Sequence, residues 1–424
     1  MKVVIVARFN PHEVVGGGLN VAYIQAKRLT ELGVRTYFFA GTRKPVSGAE
    51  MLEKFSEGPL TEYRMNYAPM ESLILNELGK MTFYRALDEE INKIDPDIIN
   101  YHTLLDMGLA VFDHVRAPRA KTVFTNHIYS LLCENYATRP PEGYNFCDMS
   151  DPVQCRRCFP ALSAQTLRRH RKLLFSYVNE KMSMLTTPGE LAWRRHIKAG
   201  IPPEKIRWIP NGTDIQPVTT QPRTPDGVLR LIFVGRDEES KGLDILLAAL
   251  ENLPAAIRSA GTIHLHLVGA MDKSMQPNKQ FGNSQSFVAR LDKLLPKLAD
   301  MVTLHGRVPN ADIAQYINAA DCLIMPSRVL ETRPCVIQEA FACGRPVICS
   351  NVGGMADMVR DGVDGLHFEA ENAEDLRDKL LLLLQDPSLL PRLRKGVKPQ
   401  RNGLEMAEDY LNLYQELLSD KRLV

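Results

Sequence analysis

The sequence predicts an α/β protein of two doubly wound, Rossmann-like parallel-sheet domains, and three observations carry that reading. Short apolar runs rich in β-branched residues recur along the chain, as expected of strands buried on both faces of a parallel sheet. Between these runs lie loops and stretches whose apolar residues fall at helical spacing. The alternation stops in a polar, proline-rich stretch from Asp214 to Gly227 and then starts again, which marks a linker.

Composition narrows the classes. At 424 residues the chain can hold two domains that each bury a substantial core. Its 45% apolar and 24% charged residues exclude disordered and fibrous proteins, and a net charge of +2 argues against nucleic acid as a partner. No apolar run is long enough to span a bilayer, and the opening MKVVIVARF is broken by Arg8, so a cytoplasmic location is expected.

In the first domain, 1–213, residues 2–7 (KVVIVA) read as the first strand. Gly16-Gly17-Gly18 then precedes a helix carrying Ala22, Ala26, Leu29 and Leu32, with Gly33 as its stop. Glycines there let backbone N–H groups approach a ligand, although the loop lacks both the dinucleotide fingerprint and the phosphate-loop ending, and a flexible connection is the alternative. Further strands are expected at Val34–Ala40, Asp97–Tyr101 and Lys121–Asn126. Ligands in such sheets collect at the carboxyl ends of strands. His102 and His127 stand there, as substrate contacts or as satisfied loop histidines.

A loop over 131–162 holds Cys133, Cys147, Cys155 and Cys158 in a polar segment with little core of its own. Four thiolates ending in C-x2-C suit a structural zinc ion, while the 13- and 7-residue gaps depart from the paired C-x2-C pattern and leave reduced thiols as the other reading. The helix read over 163–181 carries Arg168, Arg169, His170, Arg171 and Lys172, with Arg156 and Arg157 nearby. Such a run is either a solvated face or a peripheral contact with anionic lipid at the inner face of a membrane.

The second domain, 214–402, opens with LRLIFV at 229–234, followed by Gly235-Arg236 and then Lys241-Gly242. Two cations at a strand end can neutralise a diphosphate, Arg236 through a fork of N–H donors and Lys241 as a point charge. Strands follow at Ile263–Val268, Val302–Leu304, Cys322–Met325 and Pro346–Ser350, and a helix begun by Asn372 is read at 373–384. A last helix is read over 403–424.

Residues 331–344, ETRPCVIQEAFACG, form the centre of this half. Pro334 suits the first position of a helix whose inner face carries Val336, Ile337, Ala340, Phe341 and Cys343, with Gly344 as its end. Glu331 then lies on a loop and Glu339 one turn into the helix. Two carboxylates flanking a helix N-terminus suit a ligand with both hydroxyls and phosphate, such as a nucleotide sugar. An exposed loop acid beside an ordinary polar helix position is the plainer alternative.

Taken together, FVGR at 233–236, Lys241-Gly242, LVG at 267–269, HGRVP at 305–309, DCLIMPS at 321–327 and ETRPCVIQEAFACGRPVICSNVGG at 331–354 resemble the retaining glycosyltransferases of family 4, which have the GT-B fold. The first domain fits more loosely, through Gly16-Gly17, His102, His127 and IPNG. The resemblance implies transfer of a sugar from a UDP- or GDP-type nucleotide diphosphate sugar to a hydroxyl of an acceptor glycan, lipid-linked sugar or small molecule. It implies that Arg236 and Lys241 hold the diphosphate, so that no catalytic metal or other cofactor is needed, and that Glu339 binds the ribose. Glu331 and the backbone near Cys335 would meet sugar or phosphate, and Arg307 would lie by the base. Gly16 and Gly17 would cover the diphosphate, His127 would face the reacting sugar, and the last helix, 403–424, would pack back on the first domain.

The chain departs from the family pattern at Arg333-Pro334, where Phe-Gly is common, at Asp357, where Glu is usual, and in the cysteine-bearing loop. A nucleotide-sugar epimerase or hydrolase on the same fold and a silent sugar-nucleotide-binding protein are the competing readings. The retention of Arg236, Lys241, Glu331 and Glu339 weighs against the silent one.

Overall fold

A computed structural model describes residues 1–14, 16–42, 51–66, 76–103, 107–133, 138, 146–216, 227–270 and 284–420. Most of the linker (217–226), parts of the cysteine-bearing loop (134–137 and 139–145) and residues 421–424, which the sequence reading placed in the last helix, lie outside the described residues. The chain divides into two compact units, Met1–Asp214 with Arg401–Val424, and Ile215–Gln400. The sequence reading placed residues 214, 401 and 402 in the second domain, although Asp214 pairs with Arg28 of the first. They belong to the first, because the Thr213 amide donates to the Arg401 carbonyl at 3.1 Å and Thr213 bridges Asn402.

The first unit is built on strands β1 (Lys2–Ala7), β2 (Arg35–Thr42), β3 (Leu52–Ser56), β4 (Leu60–Asn66), β5 (Ile98–His102), β6 (Lys121–Thr125), β7 (Met184–Thr187) and β8 (Ile206–Trp208). Their order is β3-β4-β2-β1-β5-β6-β7-β8, parallel except where β3 pairs antiparallel with β4. Strand side chains alternate between faces. On β5, Ile99 and Tyr101 enter an apolar core with Val4, Val6, Phe39, Phe124 and Leu185, while Asn100 and His102 take the other face and are equally buried.

That second face is held by a polar ladder. The Tyr414 hydroxyl accepts from Gln25 Nε2 at 2.7 Å and from Asn100 Nδ2 at 2.9 Å. Thr125 donates to Asn100 Oδ1 at 2.9 Å, Thr186 donates to Thr125 at 2.9 Å, and the Tyr410 hydroxyl lies 3.3 and 3.2 Å from the two threonines. Gln25 comes from helix Gly17–Glu31 and both tyrosines from helix Gly403–Ser419, so the C-terminal helix is fastened to the sheet by groups that would be costly to bury unpaired. Asn402 and Glu405 cap that helix reciprocally.

The second unit carries β9 (Leu229–Val234), β10 (Ile263–Val268), β11 (Val302–Gly306), β12 (Cys322–Met325), β13 (Val347–Ser350) and β14 (Gly365–Phe368), all parallel, in the order β11-β10-β9-β12-β13-β14. Alternate residues feed two cores. Leu231, Phe233, Leu265, Leu267 and Ile324 face one, and Ile232, Val268, Leu323, Met325 and Val347 face the other.

In each sheet the chain winds outward from its first strand in both directions. The first sheet reverses between β1 and β5, the second between β9 and β12. Ligand sites in such sheets lie at the carboxyl ends of the strands flanking this reversal. The glycine run follows β1 and His102 ends β5; Arg236 and Lys241 follow β9, and Glu331 follows β12.

Buried histidines make the first unit sensitive to acid. His196 is fully buried, its Nδ1 2.7 Å from the Ala192 carbonyl and its Nε2 3.3 Å from Asn126 Nδ2, and burial pushes its pKa down to about 4. A histidine held neutral in the fold leaves stability intact above the unfolded value near 6.5 and removes it as pH falls, because the unfolded chain takes up the proton first. Stability is therefore expected to drop between pH 7 and pH 4, with His196 alone contributing about 3 kcal/mol of the loss. Urea melts across that range check this; the decline between pH 7 and 5, above most carboxylate titration, should shrink in His196→Asn.

Candidate active site

The second-unit site begins with a turn that only glycine permits. Gly242 adopts φ +69°, and a Cβ there would stand 1.9 Å from the Pro326 carbonyl oxygen. The turn Glu239–Lys241 therefore lies directly against the loop leaving β12. Ser327 donates to the Ser240 carbonyl at 3.0 Å, and the Arg328 amide donates to the same carbonyl at 2.8 Å. Beneath them Arg328 and Asp244 form a buried bidentate pair, with N–O distances of 2.6 and 2.7 Å, and Arg328 also donates to the Glu239 carbonyl.

This arrangement brings Lys241 to Glu331, Nζ to Oε1 at 2.7 Å, and the same oxygen accepts from Ser327 at 3.2 Å. Desolvation lowers the Lys241 pKa, but the charge and hydrogen bond of Glu331 outweigh it, and the net shift is upward. Arg236 is half-exposed and pairs with Glu238 at 2.7 Å. The Glu331 loop is pinned from behind. The Gly354 amide donates to the Glu331 carbonyl at 2.7 Å, and a Cβ on Gly354 would lie 2.2 Å from the Thr332 carbonyl oxygen.

Helix Cys335–Ala342 follows. Pro334 is its cap, with φ −66° and ψ 119°, one position earlier than the sequence reading placed it; the extended ψ keeps it outside the first turn. Ile337, Ala340 and Phe341 are buried, and Cys335 lies at the helix start. Glu339 is partly buried, and desolvation pushes its carboxyl up to about 7. Arg307 is exposed just beyond β11.

In the first unit, Gly16 caps helix Gly17–Glu31. The next glycine, Gly18, packs on His127, since a Cβ at this position would lie 3.1 Å from the ring. His127 Nε2 and His102 Nδ1 are 2.8 Å apart, so one ring donates to the other. Burial lowers both, His127 to about 4, and at His102 the neighbouring His127 charge acts in the same direction. Thr103, directly after His102, has φ +59°, a conformation that β-branched residues rarely adopt.

The structure thus brings Lys241 to Glu331 and His102 to His127, two links that linear spacing does not show. Arg328, Asp244, Ser327 and Glu238 were missed by the sequence reading. Arg328 directly follows the DCLIMPS motif and Asp244 falls two residues after Lys241-Gly242, but nothing in a linear sequence pairs them.

Among the described residues, the four cysteines included, no group of three or more His, Cys, Asp or Glu side chains is placed to hold a metal ion. The Cys147 thiol is raised by burial and by the nearby Cys158 and Cys155, with the Arg157 charge opposing. Arg171, buried on the following helix, fastens the described ends of this loop, donating to the Leu132 and Met149 carbonyls at 2.7 and 3.0 Å.

Two parallel α/β units of this design define a GT-B protein, and comparison with known proteins agrees. The chain spans the length of solved GT-B structures. HepE of Anabaena, solved with UDP and glucose, matches at TM-score 0.68 and 17% identity over 98% of this chain and 100% of that one. Sucrose-phosphate synthase of Thermosynechococcus elongatus matches at 0.70 and 21% over 99% and 100%. Residues 15–217 match the family model described as Glycosyltransferase Family 4, and residues 217–399 match the model described as Glycosyl transferases group 1. The chain belongs to this glycosyltransferase family.

Among curated relatives, D-inositol 3-phosphate glycosyltransferase 1 of Catenulispora acidiphila is 29% identical over 220 residues, covering 49% of this chain and 50% of the relative. The D-inositol 3-phosphate glycosyltransferase of Geodermatophilus obscurus is 26% identical over 396 residues, 88% and 79% of the two chains. The matches to the first two relatives span only about half of their length, 50% and 52%.

The Arg328–Asp244 pair gives a direct test of how the Lys241 turn is held. Breaking this pair leaves buried Asp244 with only the half-exposed Arg290, 2.8 Å away, so Arg328→Met is expected to lower stability, by less than the about 3–5 kcal/mol of a wholly uncompensated buried charge. Denaturant melts measure this, and a second substitution, Asp244→Leu, should recover much of the loss.

Proposed function

We propose that this protein transfers a sugar from a nucleotide diphosphate sugar to a hydroxyl group of an acceptor, with retention of configuration. One observation carries the reading: the Lys241–Glu331 pair at the sheet reversal, next to the helix start that follows Pro334. Support for the donor class comes from HepE, a structural neighbour solved with UDP and with UDP-glucose, which makes a uridine diphosphate sugar the first donor to test. Acceptor glycans, lipid-linked sugars and small molecules all fit the reading.

In this reaction the bond from the sugar anomeric carbon to the diphosphate oxygen breaks and the acceptor oxygen takes its place. The acceptor proton passes to the departing phosphate oxygen, so no separate base is required. Arg236 and Lys241 meet the negative charge that grows on the diphosphate, where preorganised cations contribute most. Glu339 accepts from the ribose hydroxyls, Glu331 and the Cys335 backbone lie by the sugar and phosphate, and Arg307 lies by the base. Gly16, Gly17 and His127 keep the roles that the family resemblance gives them.

Removing the cation tests the reading. Lys241→Ala should lower transfer at least about 100-fold in a protein that still folds, with only a modest loss of stability from the unpaired Glu331. Wild-type turnover in that variant would remove Lys241 from the diphosphate. Because Arg236 and Lys241 carry the charge, transfer should also persist after dialysis against a chelator.

Glu339 predicts a pH effect on donor binding. With its carboxyl raised to about 7, the ligand-free protein is partly protonated at neutral pH, whereas ribose hydroxyls donate best to the ionised form. Donor affinity should therefore rise from pH 6 to pH 8, with proton release visible by calorimetry in buffers of different ionisation enthalpy. Glu339→Gln should flatten the profile.

A further inference from the structure

The helix Ala164–Ser176, AQTLRRHRKLLFS, contains no acidic residue and buries only two side chains, Leu167 and Arg171. Both sit on its inward edge, where Arg171 is spent on the Leu132 and Met149 carbonyls. The opposite face presents Arg168, Arg169 and Lys172 to solvent, and Arg156 and Arg157 are exposed in the short turn before the helix. Among the described residues, none of Arg156, Arg168, Arg169 or Lys172 pairs with a carboxylate. The acids near the patch in sequence lie at its margins: Asp151, whose side chain caps the turn by accepting from the Val153 amide, and Glu180, in the turn after the helix.

Set among these cations are two leucines that the fold leaves uncovered. Leu173, between Lys172 and the next turn, is 55% exposed, and Leu162, just before the helix, is 40% exposed. A merely solvated helix face gains nothing from bare leucines there. Cations interleaved with apolar side chains suit a surface that is both anionic and partly apolar.

We propose that this face docks the protein on an anionic lipid bilayer. Arg156, Arg168, Arg169 and Lys172 meet headgroup phosphates, and Leu162 and Leu173 enter the interfacial layer. A second copy of the chain would bring like charges together, and a nucleic acid would leave the leucines without an apolar partner. No helix among the described residues is long and apolar enough to cross a membrane, so the contact is one of surface adsorption. Cations near an anionic bilayer act additively and are screened within a Debye length. The surface is independent of the sugar-transfer reading and stands or falls separately from it.

The test is co-sedimentation of the full chain with large unilamellar vesicles. The protein should bind vesicles containing about one-third phosphatidylglycerol, leave pure phosphatidylcholine vesicles unbound, and dissociate near 0.5 M salt. The triple variant Arg168→Glu, Arg169→Glu, Lys172→Glu should lower partitioning at least about tenfold, and Leu173→Ser should weaken it at constant charge. Both variants should keep the wild-type melting curve, since these side chains are exposed. Equal binding to both vesicle types, wild-type binding by the triple variant, or equally strong binding to a duplex oligonucleotide would overturn the proposal.

Discussion

The close approach of the Gly242 turn to the loop after β12 is the constraint on which the second-unit site depends. Strands β9 and β12 are neighbours, but their following loops must still be brought into fixed register, and hydrogen bonds from Ser327 and Arg328 to a single carbonyl do this. Asp244 and Arg328 then fill the space below with opposite charges. A buried pair of this kind adds little net stability compared with an apolar pair of equal volume, yet it admits very few alternative geometries. Its value here is positional, because Lys241 lies three residues before Asp244, and Ser327 and Glu331 lie close by on the other loop.

The first unit solves a different problem. Its sheet is apolar on one face and carries Asn100, His102, Thr125 and Thr186 on the other, each needing a partner. Helix Gly403–Ser419 supplies two tyrosine hydroxyls to that face, and residues more than two hundred positions apart in sequence satisfy one another. The same face continues to the His102–His127 pair at the strand ends, where one ring donates to the other and burial lowers the pKa of both.

Much of this was legible in the sequence where a strand is buried on both faces. KVVIVA, LRLIFV and IHLHLV carry their own signal, and their bounds match the expected ones. Strands β3, β4, β7, β8 and β14 were missed. LEKFS at the sheet edge is partly solvated, and MLTT includes Thr186, a member of the polar ladder, so neither shows a continuous apolar run. The charged site residues were visible as types and positions. Their partners were not, since Glu331 meets Lys241 across ninety residues and Arg328 meets Asp244 across eighty-four. Pairings of that span depend on strand order, which one sequence does not display.

Strand order also determines the charge state of the ligand-free site. Both cations assigned to the diphosphate already have carboxylate partners, Lys241 with Glu331 and Arg236 with Glu238. On the proposed reading an incoming diphosphate exchanges partners with these acids and does not meet bare cations. The cost of separating the resident pairs is then set against the stronger, multidentate contacts of the phosphates. A lone phosphate or carboxylate offers fewer contacts for the same cost, so internal pairing favours ligands that engage both cations at once. On that reading the two acids freed by the exchange remain beside the bound ligand as acceptors, and Glu331, on the loop next to the helix start, is the one proposed to receive hydroxyl groups.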